Sequence, residues 1–283
     1  MRKTFSYLGV ATLISLSLLI SEQTTTVVKN IDKLMTEIKQ NQETYEIKPQ
    51  NAIIKENTII PGLNGKRINI NQTYEEMKKI GNFNSKYIKY EQVKPEQTIE
   101  NIYDKYIISG NYKKNTITLI FLLQNDEDVE KIKQTLNNTQ TQATFFINKK
   151  WLDKNKKQTK ELIKQGNTIE NIENIENSIE YRIVENTIKT KTEQTKNFCY
   201  TQEKNQIKLE QCASKKKYTI IPNIRIHYQP LKEIKKQLKP GALIEIPISE
   251  QTNAELELII NYIKYKGYNI KNLEEHISEK NNN

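Results

Sequence analysis

The stretch 116–151 constrains the fold more than any other part of the chain. It opens with Thr116-Ile117-Thr118-Leu119-Ile120-Phe121-Leu122-Leu123. This apolar, β-branched run has no polar alternation, the pattern of a strand buried on both faces of a parallel sheet. A polar helical segment follows over 126–136, with Asp126, Glu127 and Asp128 as its negative first turn. Ala143-Thr144-Phe145-Phe146-Ile147 supplies a second buried strand, and a new helix begins near Trp151. Strand, helix and strand over about 30 residues make a βαβ unit, with a right-handed crossover expected.

Downstream the same rhythm continues. A helix is expected over 151–165, carrying Trp151, Leu162 and Ile163 inward and closed by Gly166. Thr168-Ile169-Glu170-Asn171 reads as the next strand. Ile179, Ile183, Val184 and Ile188 share one side of a helix over 179–192. A short strand at 198–200, a short helix at 207–213 and a strand at 218–221 follow, the last stopped by Pro222. The final third gives a helix over 231–238, a strand at 242–246, an amphipathic helix over 254–265 ended by Gly267, a strand at 268–270 and a terminal helix from Leu273. About seven strands alternating with about seven helices predict a parallel α/β barrel rather than an open sheet. The tail, 280–283, is expected to be disordered.

Upstream the organisation changes. Arg2 and Lys3 precede an apolar run over 5–20, closed by Glu22. Its length falls between a signal-peptide core and a full span of about 20 residues, and no small-x-small cleavage site follows Ile20. An uncleaved signal anchor over 1–22, basic end inside and body outside, is the favoured reading; a cleaved signal peptide is the alternative. Residues 23–112 read as a helical stalk and a small α+β region. The stalk helix spans 26–45, with Val27, Ile31, Leu34, Met35 and Ile38 on one face. Pro61-Gly62-Leu63-Asn64-Gly65 makes a double turn, and Ile68-Asn69-Ile70-Asn71 alternates like a short strand. Thr73 and Glu76 have the spacing of a capping box for a helix ended by Gly81.

Lys+Arg 44 against Asp+Glu 34 gives a net charge of +10, and the mean hydropathy is −0.75. The charge is spread along the chain. A solvated Lys-rich surface is the plain reading, and attraction to anionic lipid or cell-wall polymer the sharper one. No basic helix with interleaved aromatics and no groove-reading motif supports nucleic acid as a partner. Cys199 and Cys212 leave a disulfide and two buried free thiols both open, and neither has zinc-site spacing.

The buried strand, the helix and Ala143-Thr144-Phe145-Phe146-Ile147 ahead of a Trp-initiated helix resemble the start of the polysaccharide deacetylase (NodB-like, carbohydrate esterase 4) family. Lys239-Pro240-Gly241-Ala242-Leu243-Ile244 and Lys266-Gly267-Tyr268-Asn269-Ile270-Lys271-Asn272-Leu273 are similar to its C-terminal end, so the resemblance covers about 114–278. It implies an α/β fold, the family's distorted (β/α)7 barrel over 113–279, behind the N-terminal anchor and the small α+β region. The segments 60–66, 73–77 and 81–84 also resemble a region that precedes this domain in some membrane-anchored proteins of low-GC bacteria. The loop 61–67 is a candidate contact surface within it.

The family removes acetyl groups from N-acetylated sugars. The resemblance therefore implies a divalent metal, usually zinc, held by one Asp and two His, with a carboxylate base and an acid for the leaving amine. Residue by residue, that set is missing. Where the family's first strand ends in Thr-Phe-Asp-Asp-Gly-Pro, this chain has Ile120-Phe121-Leu122-Leu123-Gln124-Asn125. The base position falls on Leu122 and the metal Asp on Leu123. The metal histidines fall on Ile172 and Glu176, the Arg-Pro-Pro-Tyr motif on Cys199-Tyr200 without its Arg, and the acidic His on Pro247. Leu and Ile offer no lone pair. No zinc or other cofactor is expected, and Asn171, Glu176, Tyr200 and His227 remain as a vestigial groove.

The chain has two histidines, and both His227 and His276 read as structural or surface residues. Glu170, Glu173 and Glu176 fall in an Ile-Glu-Asn repeat over 169–177 that reads as drift in a released loop. The favoured function is a membrane-anchored, extracytoplasmic pseudoenzyme that binds cell-wall glycan or an envelope protein without hydrolysis. Its rival is a divergent deacetylase with a relocated site, which requires His227, Glu170 or Glu176 to converge in one cleft at the strand C-termini. A purely structural envelope element is the third reading.

Overall fold

The structure is a computed structural model describing residues 32–176, 178–189 and 197–281. The anchor expected over 1–22 lies outside the described residues. Among these residues no helix is long and apolar enough to cross a membrane. In chain order the elements are α1 (Lys33–Gln40), α2 (Gln42–Tyr45), β1 (Ile53–Lys55), β2 (Thr58–Ile60), β3 (Gly65–Ile68), α3 (Ile70–Lys78), β4 (Tyr90–Val93) and β5 (Tyr106–Ile107). Then come β6 (Thr116–Leu123), α4 (Glu130–Asn138), β7 (Thr144–Ile147), α5 (Lys149–Lys154), α6 (Lys156–Lys164), β8 (Thr168–Asn171) and α7 (Ser178–Lys189). The remainder is β9 (Phe198–Tyr200), α8 (Gln206–Ser214), β10 (Tyr218–Ile220), β11 (Ile224–Arg225), α9 (Pro230–Gln237), β12 (Leu243–Glu245), α10 (Glu250–Tyr265), β13 (Asn269–Ile270) and α11 (Leu273–Ile277).

These elements form two compact units. The smaller takes the described part of Met1–Lys48 together with Gly65–Val93. Within it β3 and β4 pair antiparallel, Gly65 opposite Val93 and Ile68 opposite Tyr90. The expected stalk is a packed helix instead. α1 buries Leu34, Met35 and Ile38 in a core shared with Ile68, Tyr74, Met77 and Ile88. Burial of one aliphatic side chain contributes about 1.5–3 kcal/mol, so packing holds this short helix where propensity alone would not. α3 begins before the expected capping box, because Asn69 already caps it by accepting the Gln72 N–H at 3.0 Å. Thr73 sits buried inside the helix and accepts the Lys89 N–H at 3.0 Å.

The larger unit takes Pro49–Asn64 and the described part of Lys94–Asn283. Residues 49–64 and 94–112, expected with the N-terminal region, therefore belong to the barrel unit, and strand pairing is the reason. β1 and β2 form an antiparallel hairpin, β2 runs parallel to β5, and β5 parallel to β10, with β9 next. The second sheet runs β11-β12-β6-β7-β8, all parallel, with β13 beside the start of β6. Among the described residues no ladder joins β8 to β9 or β10 to β11. The barrel is thus distorted rather than fully closed.

Although β6 is apolar throughout except for Thr116 and Thr118, its side chains alternate between two faces. Ile117, Leu119, Phe121 and Leu123 join the outer core beneath the helices, with Leu256, Ile259, Ile260 and Ile263 of α10. Phe121 stacks on Phe145 there at 5.2 Å between ring centroids. Ile120 and Leu122 face the interior with Phe146, Phe198, Tyr200, Tyr218 and Leu243.

At the base of the barrel, His276 is fully buried. Its Nε2 lies 3.2 Å from the Gly241 carbonyl and its Nδ1 2.9 Å from Thr116 Oγ1. A carbonyl only accepts, so Nε2 carries the proton and Nδ1 accepts from the Thr116 hydroxyl. Gly110 leaves room for the ring: a Cβ there would stand 2.4 Å from Nε2. Lys114 Nζ donates to the carbonyls of Glu275 and Ser278 at 2.8 and 2.6 Å. Order extends further along the tail than expected. Asn281 is buried and donates to the Asn64 carbonyl at 3.2 Å. Cys199 of β9 and Cys212 of α8 form a disulfide, with Cα atoms 6.2 Å apart.

Candidate functional site

Barrel sites lie where the parallel strands end, and alternation decides which side chains reach that mouth. Register sets Leu122 beside Phe146 and Arg225 beside Glu245. Leu122 is half-buried and belongs to the inner cluster with Phe146, Tyr200 and Ile172. Tyr200 packs on Phe146 at 5.4 Å, and its Oη donates to Glu245 Oε2 at 2.6 Å. Burial first, and the Glu245 bond second, push the Tyr200 hydroxyl far above the usual phenol range. It is a hydrogen-bond donor there and not a base.

Leu123 is not part of this wall. It lies in the outer core with Val129, Phe145 and Ile147. Adjacent strand residues point to opposite faces, so of the two leucines at the positions where the resemblance puts carboxylates only Leu122 faces the interior. Asn171 leaves the expected groove for the same reason. It is buried on the helix side, where Nδ2 donates to the Tyr181 carbonyl at 2.9 Å and Oδ1 accepts the Glu173 N–H at 2.9 Å. Glu170 takes the inner register position opposite Phe146 and is 2% exposed, within electrostatic reach of Lys217.

The remaining expected positions scatter. Ile172 packs half-buried against the inner cluster. Glu176 is exposed, and its Oε1 accepts from Gln211 Nε2 at 2.7 Å. A cavity of about 360 Å³ opens between these two residues and the start of α8, with Lys208 in its wall. His227 is exposed after β11, where its backbone N–H donates to Glu233 at 3.3 Å and its ring meets Tyr228 edge-on at 6.4 Å. Pro247 follows β12, its carbonyl accepting from Thr252 Oγ1 at 2.7 Å. Cys199 is consumed by the disulfide. His227, Glu170 and Glu176 thus sit with different neighbours, namely Glu233, Lys217 and Gln211. Asp126, Glu127 and Asp128 form the turn ahead of α4 rather than its first turn. Glu127 Oε2 accepts the N–H groups of Gln124 and Asn125 at 3.0 and 2.7 Å.

This donor set does not fit a zinc ion. Leu122, Phe146, Ile172 and Pro247 bring no side-chain lone pair, and the wall carboxylate Glu245 already accepts from Tyr200. Among the described residues no three His, Cys, Asp or Glu side chains gather as a metal site. Glu245 and Lys208 are wall residues that the sequence reading does not single out. The signal for Glu245 is present, a charge inside the apolar strand Ala242-Leu243-Ile244-Glu245-Ile246. Lys208 gives no signal, because a lysine on a surface helix is ordinary.

The polysaccharide deacetylase family model matches residues 109–225. The uncharacterized protein YlxY of Bacillus subtilis (strain 168) is 38% identical over 152 residues, which are 53% of this chain and 48% of that protein. The chain thus spans about half the length of the curated relative it matches. A wild-type CE4 family pseudoenzyme from Bacillus anthracis is similar in structure, with TM-score 0.70 and 22% identity over 88% of this chain and 96% of that one. A mutant of that pseudoenzyme with restored enzymatic activity matches with TM-score 0.70 and 22% identity over 88% and 99%. These likenesses establish the fold, an α/β barrel of the deacetylase type.

Proposed function

Taking residues 109–225 as a polysaccharide-deacetylase-like domain, we propose that this protein is a non-catalytic, glycan-binding member of the cell envelope. One observation carries the reading. The inner wall at the barrel mouth is Leu122, Phe146 and Ile172, and its carboxylate Glu245 is held by Tyr200. Such a wall brings no side-chain ligand set for a metal that would acidify a water. But the half-buried Leu122 and Ile172 beside the half-buried carboxylate Glu245, backed by the buried Phe146 and Tyr200, suit the apolar face and hydroxyls of a sugar ring. The divergent-deacetylase reading loses support because His227, Glu170 and Glu176 have separate neighbours. On the proposed reading the apolar run over 5–20 anchors the chain, with the body outside the membrane.

The test measures acetate release from N-acetylglucosamine oligomers with zinc supplied, alongside binding of the same oligomers by calorimetry. Saturable binding without acetate is the expected result. Turnover that a chelator abolishes would reject the reading. Retention in the membrane pellet after carbonate washing is the expected outcome for the anchor.

A further inference from the structure

The cavity beside the barrel mouth carries two opposite charges that do not meet. The loop after β8 supplies Ile172 and Glu176, and α8 supplies Lys208 and Gln211, around about 360 Å³. Lys208 is partly buried, and burial alone holds its ammonium below the ordinary lysine range. No carboxylate pairs with it among the described residues. Glu176 lends one oxygen to the neutral Gln211 amide at 2.7 Å and makes no ion pair among the described residues. Native structures normally relieve a desolvated charge by pairing it. Here a carboxylate lines the same cavity from the facing loop and does not close onto the ammonium. That arrangement leaves room for a bridging ligand with charges of both signs.

We infer that this cavity binds an amino sugar carrying both a free amine and a carboxylate. The amine faces Glu176, the carboxylate faces Lys208, and Ile172 meets the apolar face of the ring. The inference rests on the glycan-binding reading and names its ligand class. The volume suits it, since small-molecule sites run from about 300 to 1,000 Å³. An N-acetylated sugar has no cation to offer Glu176, so the free amine is the discriminating group. Hydrolysis of the amide on an acidic N-acetylated sugar supplies such a ligand, which places this protein after that class of reaction.

The test titrates the full-length chain with muramic acid, N-acetylmuramic acid, glucosamine and an N-acetylglucosamine tetramer in a calorimeter. Muramic acid should bind about tenfold more tightly than either singly charged sugar, the value of one charge-assisted hydrogen bond. Lys208→Met should erase the preference over glucosamine and Glu176→Gln the preference over N-acetylmuramic acid, neither lowering the melting temperature, and Lys208→Arg should keep both. Equal affinities across the set, or a preference that survives both neutral substitutions, overturn the assignment while tetramer binding still stands. Failure of all four sugars to bind overturns the glycan reading as well.

Discussion

The base and the mouth of the same barrel treat their polar groups in opposite ways. At the base every polar atom just described is locked: His276 between Thr116 and Gly241, and Lys114 onto the carbonyls that end α11. At the mouth Glu245 is only half-buried, Glu176 is exposed and Lys208 lacks a partner carboxylate among the described residues. The difference separates fold from chemistry. Residues that close the barrel are not those that would hold a metal, so the mouth can carry Leu122 and Ile172 while the scaffold stays intact.

The largest expected effect tests this at two neighbouring residues. Leu123→Asp forces a carboxylate into the outer core and should cost more than about 4 kcal/mol in urea unfolding, enough to abolish folding. Leu122→Asp sits on the half-buried mouth wall and should cost no more than about half of that, since water reaches it. Equal losses, or stoichiometric zinc bound by the double variant, would break the comparison.

The disulfide comes next. It ties α8, which carries Lys208, to β9, which carries Tyr200. With a sequence separation of 13 residues, its loop predicts that Cys199→Ala with Cys212→Ala costs about 3 kcal/mol. Circular dichroism melts of the variant and of the reduced wild type should agree. A loss near zero would mean that packing alone positions the mouth wall.

The base should respond to pH through His276. Burial first, and the Lys114 charge second, lower His276 to about 3, against about 6.5 in the unfolded chain. The folded value is the lower one, so the unfolded chain takes up the proton first as pH falls. The stabilisation is complete above about 6.5 and is lost progressively toward about 3. Between pH 6.5 and pH 5, above most carboxylate titrations, the loss should be about 2 kcal/mol. His276→Asn should flatten that slope. An unchanged urea midpoint across the window in the wild type would contradict a locked base.

How much of this was legible depends on what each pattern encodes. The strands β6 and β7 stand out in the sequence because β-branched and aromatic apolar runs are local signals. The pairing of β2 with β5 was not, since a ladder between residues 58–59 and 106–107 leaves no local trace. β11 (Ile224–Arg225) is not marked in the sequence: it has only two residues, one of them charged, directly after Pro222 and Asn223. The same limit applies to the site. Residues 119–123 are apolar on both faces and hide their own parity, and only Thr116 and Thr118, on the same face as Leu122, mark which side turns inward. Asn171 turns to the helix side, where it meets the Tyr181 carbonyl, and Glu170 holds the inner position opposite Phe146. Asn69 shows the converse, a cap that was readable but masked by a second good cap signal at Thr73.

The smallest effect gives the sharpest contrast, because it removes one hydroxyl at each end. Tyr200→Phe keeps the packing on Phe146 and deletes only the bond to Glu245, a carboxylate that water can reach. Its cost should be about 1.5 kcal/mol, the low end for a bond to a charged group, because water can take the hydroxyl's place on Glu245. Thr116→Val deletes the hydroxyl that serves His276 Nδ1, and no water reaches that fully buried ring. Leaving a buried acceptor unmet should cost about 2–3 kcal/mol. The ratio matters more than either value, since both changes are near-isosteric and both are read from the same urea midpoints. Equal costs would mean that Glu245 depends on Tyr200 as fully as His276 depends on Thr116. The mouth would then be as rigidly built as the base, and its wall could not adjust to a ligand.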